Sequence, residues 1–162
     1  MMKEINIRKA TINDLKSIQE LNHELCTKEN REFDSTIDPN YPFSSKGESY
    51  FKLRLGSDDS FVLVAEKNNK IVGYFVGALI APMDYRTLMK LAEAENMYIK
   101  DDFRSQGIGG RLVSLFEDWC KERKVQRIRY VASADNIEAI KFYKKHGCKE
   151  VDIGLEKELS SQ

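Results

Sequence analysis

The stretch that most constrains this chain is "RSQGIGGRL", residues 104–112, which packs three glycines, a Gln and two arginines between two regular patterns. The "ENMYIK" before it reads as a strand. The residues after it read as a helix, because Ile108, Leu112, Leu115, Phe116, Trp119 and Cys120 recur at helical period. A glycine-rich turn that opens a helix can aim several peptide N–H groups at one anion, and the helix N-terminus adds partial positive charge. Two well-known phosphate loops do not fit. No Lys follows the glycines as a P-loop requires, and Leu112 stands at the third glycine of a dinucleotide fingerprint. On these residues alone the turn is either an anion cradle or a plain strand-to-helix connection.

The rest of the chain supplies the layers around that turn. "INIRKAT" alternates as a first strand, and Thr11 with Asp14 has capping-box spacing. Ile12, Leu15, Ile18, Leu21 and Leu25 then predict a helix with one buried face. Residues 30–47 break the pattern and read as a long loop, with "SYFKLRL" as a short helix after it. "FVLVAEKNNKIVGYFVGALI" reads as a hairpin turning at Asn68 and Asn69, followed by an irregular "APMDYRTLMK". "VQRIRYVAS" predicts a strand and "DNIEAIKFYKKHG" a helix with Asp135 or Asn136 at its start and Gly147 at its stop. "CKEVDIGLEKEL" alternates again and predicts a closing strand. The order predicts one mixed α/β domain over residues 1–162.

Two segments carry a family resemblance. "YIKDDFRSQGIGGRL" resembles the acetyl-CoA signature of the GNAT superfamily of N-acetyltransferases, [QR]-x-x-G-x-[GA], here Arg104-Ser105-Gln106-Gly107-Ile108-Gly109. "NIEAIKFYKKHGCKE" resembles a second GNAT segment through Asn136, Ala139, Phe142, Tyr143 and Gly147, with Cys148 where an aromatic is commoner. The resemblance implies an α/β (α+β) domain built on a central mixed, mostly antiparallel sheet flanked by helices. It implies acetyl-CoA as acetyl donor, with its pyrophosphate over Arg104, Ser105, Gln106, Gly107, Ile108, Gly109 and Gly110. Met97, Tyr98 and Ile99 correspond to the segment whose main chain pairs with the pantetheine arm, and Asn136 to a position close to the cofactor. Tyr143 occupies the place of the tyrosine that protonates the departing sulfur.

Acetyl transfer to an amine needs a proton acceptor, because an alkyl ammonium with a pKa of about 10 is unreactive when charged. Glu93 and Glu95 lie two residues apart and face one side of a regular strand. Each aligns with an acidic position used in some GNAT members, so Glu93, Glu95 or a water is the base. The chain thus reads as an N-acetyltransferase working by direct attack in a ternary complex. The alternative is a non-catalytic acyl-CoA-binding sensor or interaction module. Nucleotide binding at the glycine turn is a third reading.

Composition bounds the partners. Lys and Arg number 26, Asp and Glu 26, so zero net charge gives no overall pull toward nucleic acid. The three cysteines form no metal or disulfide pattern, which predicts reduced, buried thiols, no metal and a cytoplasmic setting. The longest apolar run is interrupted by glycine and too short for a bilayer. The acceptor, a small-molecule or protein amine, is open among polyamines, aminoglycosides, amino acids and protein amines. Glu32, Asp34 and Asp38 among Phe33, Tyr41 and Phe43 suit a cation with apolar bulk. A homodimer is an allowed assembly.

Overall fold

A computed structural model describes residues 4–87 and 89–159. A first compact unit ends at Val131, and a second begins at Ala132.

In the first unit, strands β1 (Asn6–Lys9), β2 (Ser60–Lys67), β3 (Lys70–Ile80), β4 (Leu91–Ile99) and β5 (Arg127–Tyr130) form one sheet in that order. Every pairing is antiparallel except β4 with β5, which is parallel. That parallel step requires a crossover, and α3 (Ile108–Glu122) supplies it. The β2–β3 hairpin turns at Asn68 and Asn69, both left-handed with φ of 51° and 61°, as a two-residue primed turn demands.

Two helical layers cover the sheet. Ile108, Leu112, Phe116 and Trp119 of α3 pack on Leu63, Phe75, Ala92 and Ala94 on one face. The other face holds α1 (Leu15–Glu32) and α2 (Ser45–Gly56), whose Ile18, Leu21 and Phe51 pack on Val62, Val64, Tyr74, Val76 and Tyr98. Asp14 accepts the Thr11 backbone N–H at 2.8 Å and both ends of the Arg8 fork, which fixes the entry to α1. Gly77 is required by a close approach, since a Cβ there would lie 2.4 Å from the Phe116 ring.

Two expectations change. The irregular stretch is shorter than residues 30–47: α1 continues to Glu32, Tyr41–Phe43 forms a short 3-10 turn, and α2 begins at Ser45. The last buried residue of α1 is Cys26, and its final turn propagates from a helix already formed until the Phe33 and Asp34 N–H groups close onto Glu29 O. In the second unit, α4 (Ile137–Lys145) forms as expected, with Asn136 Oδ1 accepting the Ala139 N–H at 3.1 Å and Gly147 left-handed at φ 87°. The closing strand does not form, because residues 148–159 carry no ladder and leave Val151, Ile153 and Leu155 exposed. Alternation makes a segment fit to be a strand, but only a paired neighbour makes it one.

Candidate active site

The site begins with an irregularity in β4. Val76 of β3 faces Asn96, and Gly77 faces Ala94, so Glu95 is an extra, bulged residue. Before the bulge Ala92 and Ala94 point toward α3; after it Met97 and Ile99 do, while Tyr98 points toward α1 and α2. Glu93, between Ala92 and Ala94, therefore faces the α1 and α2 side of the sheet. Glu95 faces the same way, as its contacts with α2 show.

These two carboxylates have different surroundings. Glu95 accepts Arg54 Nε at 2.8 Å on one oxygen, Arg54 Nη2 on the other, and the Tyr50 hydroxyl at 2.5 Å. Asn96 Nδ2 donates to the same Tyr50 oxygen at 2.9 Å, a contact that needs consecutive residues on one face and hence the bulge. Burial, with Glu95 beside it, pushes the Tyr50 phenol far up, so it stays protonated as a donor. The Arg54 guanidinium is held charged by Glu95.

Glu93 makes no such clamp. It lies beside Arg129 of β5, its partner across the parallel ladder, with Arg129 Nε 3.7 Å from the carboxylate, beyond hydrogen-bond length. Its side chain is 25% exposed and that of Arg129 40%. Burial raises the Glu93 pKa above the ordinary glutamate value, Arg129 opposes that shift, and Glu95 adds to it.

One residue beyond this rung the sheet opens. β4 pairs with β3 as far as Ile99, but with β5 only from Leu91 to Ala94. The main chain of Met97, Tyr98 and Ile99 thus has a ladder on one side only. That edge leads through a 3-10 turn (Asp101–Phe103) into the glycine turn. There Ser105 and Gly107 are both left-handed, at φ 58° and 78°, an arrangement that makes peptide N–H groups concave. The first bond of the α3 ladder runs from Arg111 N–H to Gly107 O, so the N–H groups of Ile108, Gly109 and Gly110 precede it. A Cβ at Gly107 would meet nothing within 4 Å, so its glycine answers to φ and not to crowding. A free strand edge running into such a helix start fits a ligand with an amide-bearing arm and an anionic end.

The arginines of the turn are scaffold. Arg104 lies over the Tyr98 ring, donates from Nε to Ile99 O at 2.8 Å and pairs with Asp101 at 2.9 Å. Arg111 reaches Ile5 O at 3.3 Å. Gln106 Nε2 closes the turn onto Asp102 O at 3.1 Å. In the second unit, Asn136 caps α4, and Tyr143 sits on α4 with its ring edge-to-face with Phe142. The loop acids serve local structure. Asp34 accepts Thr36 N–H at 2.9 Å, Asp38 accepts Asn40 N–H at 2.9 Å, and Glu32 pairs with Arg31 at 2.7 Å. Burial pushes the Cys26 thiol up to about 11 and the Cys120 thiol up to about 12, so both are protonated at neutral pH. Among the described residues no His, Cys, Asp and Glu cluster fits a metal, and no helix is long and apolar enough to cross a membrane.

Tyr50, Arg54, Asn96 and Arg129 escaped sequence reading. Tyr50 and Arg54 stand one helical turn apart, the only local signal of a shared target. Arg129 meets Glu93 through a strand pairing that no local pattern reveals.

Comparison with known proteins agrees with this fold. Over 153 residues the chain is 29% identical to an uncharacterized N-acetyltransferase of Methanocaldococcus jannaschii, a match that covers 94% of this chain and 64% of that protein's length. A crystal structure of a mutant BH1408 protein from Bacillus halodurans shares the fold at a TM-score of 0.84 and 22% identity, over 96% of this chain and 99% of that one. A predicted acetyltransferase from Clostridium acetobutylicum, solved with acetyl-CoA, superposes at a TM-score of 0.76 and 25% identity, over 96% of each chain. Residues 22–148 match the acetyltransferase (GNAT) family, and this chain belongs to that family.

Proposed function

We propose that the protein moves an acetyl group from acetyl-CoA to a primary amine by direct attack. The observation that carries this reading is the edge of β4, free of β5 beyond Ala94, running into the N-terminus of α3 with Glu93 one residue before the end of the paired stretch. The backbone from Arg104 to Gly110 binds the pyrophosphate of the donor, and the main chain of Met97 to Ile99 pairs with its pantetheine arm. Asn136 lies close to the cofactor. The acceptor arrives as an ammonium, and Glu93 takes its proton. The amine nitrogen then forms a bond to the thioester carbon, the carbon–sulfur bond breaks, the sulfur takes a proton from Tyr143, and the surplus proton on the new amide nitrogen returns to the phenolate. The products are an N-acetyl amide and coenzyme A. A carboxyl of raised pKa suits the base, since its affinity for the proton lies closer to that of the amine. Glu95, with its oxygens engaged by Arg54 and Tyr50, shapes the site instead.

Acetyl-CoA consumption against a panel of amines tests the reading, alongside calorimetric titration with coenzyme A. The expected outcome is binding of coenzyme A and acetylation of at least one amine class. Binding with no product across the panel would convert the protein into an acyl-CoA sensor. Equal competition by ATP or NAD would make the cradle a nucleotide site.

A further inference from the structure

Two carboxylates of β4, Glu93 and Glu95, face the α1 and α2 side of the sheet and differ in how they are engaged. Glu95 is closed by three donors, and the loop acids Glu32, Asp34 and Asp38 are spent on local contacts. On the next-to-last rung shared by β4 and β5 stand one carboxylate, Glu93, and one guanidinium, Arg129. Ile128 and Tyr130 pack on the α3 side, so Arg129 between them shares the face of Glu93. The two are in contact at 3.7 Å without a hydrogen bond, and both remain partly open to solvent.

We infer that Glu93 and Arg129 form a dipolar receptor for a zwitterionic acceptor, an amino acid whose ammonium meets Glu93 while its carboxylate is held by Arg129. This rests on the acetyl-transfer reading and narrows its acceptor class. Neighbouring strands lie about 4.8 Å apart, so the two side chains present opposite charges at the short separation that an α-amino acid carries within itself. A guanidinium offers a carboxylate two parallel N–H donors, a geometry that the single long contact with Glu93 leaves unused. Holding the carboxylate also orients the nitrogen beside the group that must take its proton. The role of Arg129 is therefore to bind, and that of Glu93 to bind and deprotonate.

The test compares the twenty amino acids with the amines made by removing their carboxylates, in the wild-type protein, Arg129→Met and Arg129→Lys. Acetyl transfer and calorimetric binding in the presence of coenzyme A are both measured. The best amino acid should exceed its decarboxylated amine by roughly 10- to 100-fold in kcat/KM, the scale of a charge-assisted hydrogen bond. In Arg129→Met that ratio should collapse toward one, chiefly through KM, and Arg129→Lys should restore part of it. A decarboxylated amine that reacts as well as its amino acid in the wild type overturns the inference while acetyl transfer stands. Binding of an amino acid that depends on Arg129, with no acetylation, upholds the receptor and removes the acetyl-transfer reading. An amino-acid preference unchanged in Arg129→Met overturns the assignment of Arg129.

Discussion

On one strand, Glu95 is gripped by three hydrogen bonds from α2, whereas Glu93, two residues earlier, touches a single guanidinium at 3.7 Å. The first carboxylate is saturated. Its charge is matched by Arg54, and three donors on its two oxygens tie α2 to the bulge. The second is half desolvated and underpartnered, which raises its proton affinity and leaves it able to exchange partners. The difference teaches how to divide labour between acids of one site. A carboxylate with its donors satisfied is structure, and one that burial has made uneasy is chemistry.

Substitutions separate the two. The largest effect should fall on Glu93→Gln, which removes the proposed base and should cut turnover by about 100- to 10,000-fold at neutral pH. Stability at that pH should hold or rise slightly. The charged form of Glu93 is disfavoured in the folded chain, so it costs stability above its raised pKa and none at low pH. Comparing unfolding midpoints beside rates checks both halves. Tyr143→Phe extends the contrast to the leaving group: turnover should fall by roughly 10- to 1,000-fold, and less for thioesters of more acidic thiols. Turnover within twofold of wild type would remove Tyr143 from the mechanism.

Glu95→Ala should behave in the opposite sense to Glu93→Gln. It strands the Arg54 charge and should lower stability by about 2 kcal/mol in urea unfolding, less than a fully buried pair because Arg54 keeps some exposure. The smallest effect belongs to Tyr50→Phe, which removes one donor to Glu95 and the acceptor for Asn96 while Arg54 keeps the carboxylate paired. A loss of about 1 kcal/mol is expected, read from the same unfolding curves. A stability loss in Glu93→Gln as large as in Glu95→Ala would erase the contrast.

Much of this arrangement could be read from local chemistry. The Asn68-Asn69 turn, the stripe of α3 and the stop at Gly147 each depend on near neighbours, and sequence reading found them, while it left the start of α4 open between Asp135 and Asn136. The features that distinguish Glu93 from Glu95 depend on distant ones. The clamp joins residues 41 to 45 positions apart in sequence, and the bulge shows only when β4 is laid against β3. Arg129 reaches Glu93 through a parallel pairing with a whole helix between the strands. The tail at 148–159 failed for the complementary reason. Its alternation is local and sound, but a strand also needs a partner, and alternation does not name one.

The most direct test is the pH dependence of kcat/KM for the best acceptor, in the wild-type protein, Glu93→Gln and Glu95→Gln. The wild type should lose activity toward acid with a midpoint above the ordinary glutamate range, because burial raises the Glu93 pKa and the base works only when ionised. Glu93→Gln should lack that limb and recover activity as pH rises and more of the amine is already free. Glu95→Gln should keep the limb. A limb that survives in Glu93→Gln and disappears in Glu95→Gln would contradict the account and make the clamped carboxylate the base.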